Sequence, residues 1–245
     1  MPEGPSIAIL RDEASIFVGK RVSRAEGNAK IDMGRIEGQR VVDWRSFGKQ
    51  TLIVFDGVYV RVHLLMFGSY LINERKDIAP RLGLTFRNGE IHFYNCSVKL
   101  LEGDPADSYD WRVDIMSDQW DEKFVRRKFR AMPEELVCDA LLDQDVFAGV
   151  GNIIKNEVLY LCKVHPLSLV GDLPARKANE IVAQARAYSF RFLDWKKAHV
   201  LRKHWLVHNK GQCPVHQIPL SRGYLGHRKR RSFFCDLCQR RYTTE

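Results

Sequence analysis

The 245-residue chain has no run approaching the ~20 consecutive apolar residues that a membrane-spanning helix requires. Its first twenty residues place Arg11, Asp12 and Glu13 where a secretory leader needs an apolar core. Neither a membrane partner nor export is expected. Internal repeats and low-complexity tracts are also missing, which excludes solenoid and disordered architectures. Six cysteines are too few for a disulfide framework in a chain of this length, and three of them, Cys96, Cys138 and Cys162, stand alone in apolar settings suited to core thiols. Acidic residues run short in one place: the last fifty residues hold 12 Lys and Arg against 2 Asp and Glu, while the rest of the chain is balanced. A basic tail of that kind suits a phosphate-bearing partner, because neutralised phosphates release counterions.

The apolar pattern implies an α+β protein of two modest domains. Residues 5–18 carry apolar positions at nearly helical spacing, so a helix follows the first few residues. From about 20 to 102 the pattern becomes short runs rich in Val, Ile, Phe and Tyr. Two hairpins are predicted, one turning at Asp56-Gly57 and one at Asn88-Gly89, within an antiparallel β-sandwich or flattened barrel. The stretch 103–118 is acidic, holds Gly and Pro and has no sustained period, so it reads as the domain boundary, with a linker over 111–118 after an N-terminal domain of residues 1–110. Helical periodicity resumes over 119–131, 133–144, 152–163 and 174–194, with Asp118, Pro133 and Pro174 as start signals. A helical domain is therefore expected over 119–205, and a small β-rich module over 206–245.

Three features carry chemistry. Cys213-Pro-Val-His216 and Cys235-Asp-Leu-Cys238 are two ligand pairs of matching spacing on either side of an 18-residue excursion. Two such knuckles close a tetrahedral structural zinc site with Cys213, His216, Cys235 and Cys238 as ligands, although His227 in the excursion offers an alternative to His216. Second, Gly149-Val-Gly-Asn152 precedes an apolar helix, where Asn152 is expected as the N-cap and the free N–H groups of a helix start attract phosphate. Third, the chain opens Met1-Pro2-Glu3-Gly4-Pro5. Removal of Met1 gives Pro2 a secondary amine with a pKa near ~8, far below that of lysine, so that an appreciable fraction is an uncharged nucleophile. Attack on a sugar C1′ yields an iminium ion that acidifies the C2′ proton. Glu3 supplies the adjacent carboxyl group for proton transfer.

Taken in order, these motifs together with Phe47-Gly48-Lys49 and Leu142-Asp143-Gln144 resemble the bacterial formamidopyrimidine-DNA glycosylase and endonuclease VIII family along essentially the whole chain. The resemblance implies an N-terminal β-sandwich, a helix-two-turn-helix domain with a β-hairpin zinc finger, and a DNA cleft between them. It implies a bifunctional glycosylase and AP lyase of base excision repair, monomeric, cytoplasmic and nucleoid-associated, that acts on double-stranded DNA containing oxidised or abasic sites. Carried over by motif, Pro2 is the Schiff-base nucleophile, Glu3 the general acid/base, and Lys49 a contact to the sugar and phosphate of the lesion. Asn152 and Arg230 contact the flanking phosphates, with Arg231 the neighbouring alternative in register. Leu65, Met66 and Phe67, in His63-Leu-Leu-Met-Phe-Gly68, fill the gap left by an extruded base. Ser6 stands where many relatives have Glu, and His216 where Cys is more usual. The stretch 94–102 and the short segment between Trp195 and Cys213 resemble the endonuclease VIII branch and favour oxidised pyrimidines over oxidised purines. Two other readings fit the basic tail, a damaged-DNA-binding protein without catalysis and a zinc-ribbon RNA-processing factor, but both leave the N-terminal motif idle.

Overall fold

A computed structural model describes residues 2–243. The chain divides into two compact units between Asp110 and Trp111.

The first unit begins with helix α1 (Gly4–Ala14), followed by a 3₁₀ turn at Ser15–Phe17. Eight strands follow: β1 (Val22–Glu26), β2 (Asp43–Phe47), β3 (Gln50–Val54), β4 (Val58–His63), β5 (Ser69–Ile72), β6 (Leu82–Phe86), β7 (Gly89–Tyr94) and β8 (Ser97–Glu102). A single-turn helix α2 (Pro105–Ser108) closes the unit. The strands form two four-stranded antiparallel sheets, ordered β1-β6-β7-β5 and β2-β3-β4-β8. Both anticipated hairpins are present, as β3–β4 and β6–β7. Inward-facing residues of the two sheets make one core: Trp44, Ile53, Val60 and Val62 from one, and Leu82, Leu84, Ile91 and Phe93 from the other. Ile7, Leu10 and Ala14 of α1 join this core, so the helix is held by apolar burial and packs across β2 and β3. The Trp44 indole, buried among them, donates to Thr51 Oγ1 at 2.7 Å, which removes the penalty of an orphan N–H.

The second unit has a 3₁₀ turn at Trp111–Val113, then α3 (Glu122–Arg130), α4 (Val137–Ala140), α5 (Asn152–Leu161), α6 (Ala175–Lys197), a 3₁₀ turn at Leu201–His204, and a hairpin of β9 (Ser221–Leu225) and β10 (Arg230–Phe234). Phe129 of α3 meets Phe147 edge-on at 5.5 Å between centroids, and Ile154, Val158, Ile181, Val182 and Ala185 fill the space between α5 and α6.

Three expectations about the bounds of elements differ from this structure. The stretch expected as a linker is packed into the second unit: Val113, Asp114 and Ile115 are buried, and this backbone pairs with Ala148 on both sides. Its acidic composition misleads, because the Asp114 carboxylate accepts from Met116 N and closes a local turn. Helix α3 starts from Asp121, whose side chain accepts from Phe124 N, and not from Asp118. The helix expected over 133–144 shrinks to the single turn of α4, since Val137 N and Cys138 N bond to Ser168 O and Pro166 O, outside any helix ladder. The three lone cysteines are buried, and burial raises their thiols, Cys96 to about 11 and Cys138 and Cys162 to about 12, which makes them inert core groups.

Candidate nucleic-acid and metal sites

In the first unit, Pro2 lies in non-helical backbone and is partly accessible. Glu3 follows in extended conformation as the N-cap residue of α1, and its carbonyl accepts from Ser6 N at 2.8 Å. The Glu3 side chain is 1% exposed, at the positive end of the helix dipole. Pro5 sits in the first turn, where a missing N–H is harmless.

Lys49 occupies the two-residue turn joining β2 to β3, half-buried, next to Gly48. Gln50 faces His63 in the ladder, so this turn and the end of β4 lie at one end of the same sheet. The chain leaves β4 in a tight turn. Leu64 is buried, but Leu65, Met66 and Phe67 are 49%, 50% and 80% exposed. These are not core residues. Leu65 holds a left-handed φ of 53°, which costs on the order of 1 kcal/mol for a side-chain-bearing residue. The conformation is kept by two bonds, Gly68 N to Leu64 O at 2.7 Å and Leu65 N to His63 Nδ1 at 3.0 Å. A Cβ at Gly68 would lie 2.0 Å from Leu64 O, so no larger residue fits. Burial, then the charges of Lys49 and Arg61, hold the His63 imidazole below its ordinary pKa, which keeps Nδ1 available as the acceptor.

In the second unit, Gly151 is the N-cap residue of α5 and Asn152 the first helical residue. Asn152 therefore does not cap its own helix as expected. Its Nδ2 donates across to Arg231 O of β10 at 2.9 Å, while its Oδ1 is buried with no hydrogen-bond partner among the described residues. The preceding loop is held by Gln144, whose amide nitrogen donates to Leu142 O and Val150 O and whose Oε1 accepts from Gly149 N.

Sequence reasoning missed the polar face of α5. Lys155, Asn156 and Glu157 are each no more than 1% exposed. Lys155 Nζ donates to Ser232 Oγ at 2.8 Å, and Asn156 Oδ1 accepts from Phe233 N. Both residues also donate to Arg231 O. Glu157 accepts from three consecutive backbone N–H groups, Leu206, Val207 and His208, at 2.8, 3.0 and 2.7 Å. Another buried carboxylate, Asp139 of α4, accepts from His227 N and Arg228 N at the tip of the hairpin. Gly226 at that tip has φ +71°, and a Cβ there would lie 1.9 Å from Asp139 Oδ2. The hairpin is thus fixed to two helices by charge-assisted bonds to its backbone. Polar residues inside a helical apolar pattern were the available signal.

On β10, Arg230 lies on the face of Ser232, which meets Lys155 of α5, whereas Arg231 lies on the opposite face with its guanidinium 5.1 Å from the Phe233 ring centroid.

Cys213, His216, Cys235 and Cys238 bring four ligand atoms within 4.8 Å of one another. His216 Nδ1 lies 3.8, 3.7 and 3.3 Å from the sulfurs of Cys213, Cys235 and Cys238, and the Cys213 and Cys238 sulfurs are 3.6 Å apart. A tetrahedral ion bonded at about 2.0–2.3 Å needs vertex separations of roughly 3.5–3.8 Å, so the set fits such an ion. The Tyr160 hydroxyl of α5 stands 3.4 Å from Cys213 Sγ, close enough to hydrogen-bond that sulfur and fix its orientation. His227 is elsewhere: its Nδ1 lies 3.5 Å from Glu135 and 3.4 Å from Asp139. His216, not His227, completes the cluster.

No helix among the described residues is long and apolar enough to cross a membrane. The family model of the formamidopyrimidine-DNA glycosylase N-terminal domain matches residues 1–99, and that of the formamidopyrimidine-DNA glycosylase H2TH domain matches residues 113–189. Endonuclease 8-like 2 of Bos taurus is 33% identical over 204 residues, which cover 76% of this chain and 60% of that protein. Endonuclease 8-like 3 of Mus musculus is 30% identical over 204 residues, covering 80% of this chain and 34% of that protein. The chain thus spans between about a third and three-fifths of the length of these relatives. Among solved structures, a formamidopyrimidine DNA glycosylase of Lactococcus lactis bound to DNA with an AP site superposes with a TM-score of 0.85 at 19% identity, over 98% of this chain and 100% of that one. A viral DNA glycosylase gives 0.83 at 19% identity, over 97% and 99%.

Proposed function

The chain belongs to the formamidopyrimidine-DNA glycosylase and endonuclease VIII family, and from that premise we propose that it is a bifunctional DNA glycosylase and AP lyase that excises oxidised bases, pyrimidines foremost, from duplex DNA. The observation that carries the reading is the Pro2-Glu3 pair at the start of α1: a partly accessible proline in non-helical backbone beside a buried carboxyl group.

Removal of Met1, which lies outside the described residues, frees the Pro2 nitrogen. That nitrogen bonds to C1′ of the damaged nucleotide as the glycosidic bond breaks, and the base departs with the proton that the amine gives up. Glu3 protonates the sugar ring oxygen, so the ring opens and an iminium ion forms. The cation withdraws electrons from C2′, a proton leaves that carbon, and the electron pair expels the 3′ phosphate. Hydrolysis of the iminium returns the amine. Lys49, on its short turn, neutralises the charge of the lesion's phosphate. The exposed Leu65, Met66 and Phe67 fill the gap left by the extruded base, and the strained, doubly bonded turn that presents them favours this role over packing.

The second unit supplies phosphate contacts through Asn152 and Arg230. The face that Arg230 shares with Ser232, toward the helix that begins at Asn152, favours Arg230 over Arg231. Zinc is the ion that suits three thiolates and one imidazole nitrogen in tetrahedral arrangement, and with all four positions taken by protein it holds the hairpin and takes no part in the chemistry.

The test is cleavage of a thymine-glycol duplex by wild type and Glu3→Gln. Excision by wild type, with at least a hundredfold loss in Glu3→Gln at unchanged affinity for abasic duplex, is the expected result. Binding without cleavage by the processed wild-type chain would leave a damage-binding protein.

A further inference from the structure

We infer that the second unit carries another nucleic-acid site, a cationic groove on α3 that takes the phosphates of a single strand and lies apart from the Asn152 and Arg230 contacts. A cavity of about 550 Å³ is lined by Lys123, Arg126, Arg127 and Arg130 of α3 and by Asn179 of α6. The four cations fall at i, i+3, i+4 and i+7, so they form one stripe about 10 Å long on a helix whose other face buries Val125 and Phe129. Whole-segment charge conceals this stripe, because nearby Asp114, Asp118, Asp121, Glu122, Glu134 and Glu135 cancel it in any sum.

The lining is built and not merely solvated. Arg130 donates to Asn179 Oδ1 at 3.0 Å and to Ala175 O at 3.2 Å, which fixes the far end of the stripe against α6. Arg126 pairs with Glu122, one turn back on the same helix, which holds its guanidinium along the wall of the groove. Lys123 and Arg127 are exposed. Guanidinium forks match phosphate and carboxylate alike, so charge alone does not choose between a nucleic acid and an acidic peptide. The neighbouring ring does. Phe124, half-buried, is flanked by Arg112 at 3.7 Å, Arg127 at 5.2 Å and Lys128 at 5.6 Å from its centroid. Arg112 covers one face of this ring, and the outer plane of its exposed guanidinium, beside the groove's Arg127, offers stacking surface as well as charge, which suits unpaired bases and is idle for a peptide of carboxylates.

Lysine acetylation footprinting of the full chain, read by mass spectrometry, tests the groove. A 12-nucleotide single strand should protect Lys123 several-fold, in wild type and equally in an Asn152→Ala, Arg230→Ala double variant whose other DNA contacts are weakened. Replacing Lys123 and Arg127, both exposed, by Gln should weaken single-strand binding about tenfold and lower the slope of log affinity against log salt by about 1.4, the value for two lost phosphate contacts. Absence of Lys123 protection overturns the proposal. So does equal or better protection by a 12-residue poly-glutamate peptide, which would make the groove an acidic-protein surface, or full competition by tripolyphosphate at the same phosphate concentration, which would make it a small-anion site.

Discussion

Replacement of Glu157 by Ala should unfasten the segment that leads into the metal module. The carboxylate is fully buried and accepts three backbone N–H groups, of which only that of Val207 belongs to a fully buried residue. An orphaned N–H that reaches water costs about 1 kcal/mol and one that does not costs about 2, so the three together cost about 4 kcal/mol. Part of this is offset, because burial pushes the Glu157 carboxyl above the usual carboxylate range, against the pull of the same three bonds, and removing the charge relieves that burden. A net loss of about 3 kcal/mol remains, roughly 10 °C in Tm for a unit of this size. Glu157→Gln should lose less, since its carbonyl oxygen keeps the Val207 and His208 bonds while its amide meets the Leu206 N–H. Thermal unfolding by circular dichroism, with the zinc content measured alongside, checks both. A drop in Tm of less than about 2 °C in Glu157→Ala would mean that these three bonds do not anchor the segment, as would Gln being the worse substitution.

Other outcomes follow from the same geometry. Burial, then the positive charges of Lys155 and Arg231, lowers the His208 imidazole to about 4, and its Nδ1 lies 3.0 Å from the Asn156 amide nitrogen as an acceptor. A depressed histidine pKa favours the neutral folded form, so stability held above pH ~6.5 should be lost as the pH falls toward 4. Urea unfolding at pH 7 and pH 5 should show this loss in wild type, and His208→Gln should remove most of it. Phe67→Ala, at a site 80% exposed, should leave Tm within about 1 °C while slowing excision from damaged duplex about tenfold; a stability loss of 2 kcal/mol or more would return Phe67 to the core. Elemental analysis should find one zinc per chain, and chelation or Cys238→Ala should abolish duplex binding while the first unit stays folded; a full zinc complement in a Cys213, Cys235 double alanine variant would contradict the ligand set.

Where the physical signal was local in sequence, it was legible. The two hairpins turn at the glycine pairs that mark them, α1 follows its apolar spacing, and the two knuckles bring four ligands together because each pair is close along the chain. What escaped depends on partners far apart. The bonds from Asn152 and Asn156 to Arg231 O span 79 and 75 residues, and those from Asp139 to the hairpin tip span 88 and 89. Their acceptors and donors are backbone groups, identical for every residue type, so no motif announces them. Capping chemistry misled at Asn152 for the same reason: a carboxamide competent to cap its own helix is drawn to a carbonyl that only the fold supplies. The exposed Leu65-Met66-Phe67 turn lay between these cases, since an apolar triplet after a strand ordinarily signals core and accessibility alone distinguishes the two roles.

That Pro2 is the nucleophile can be checked by trapping the reaction with borohydride and locating the adduct. The processed protein should yield a covalent complex with thymine-glycol DNA, and tandem mass spectrometry of its digest should place the reduced sugar on the Pro2 nitrogen. An adduct on Lys49 or any other lysine, or efficient trapping by chains that retain Met1, would contradict it.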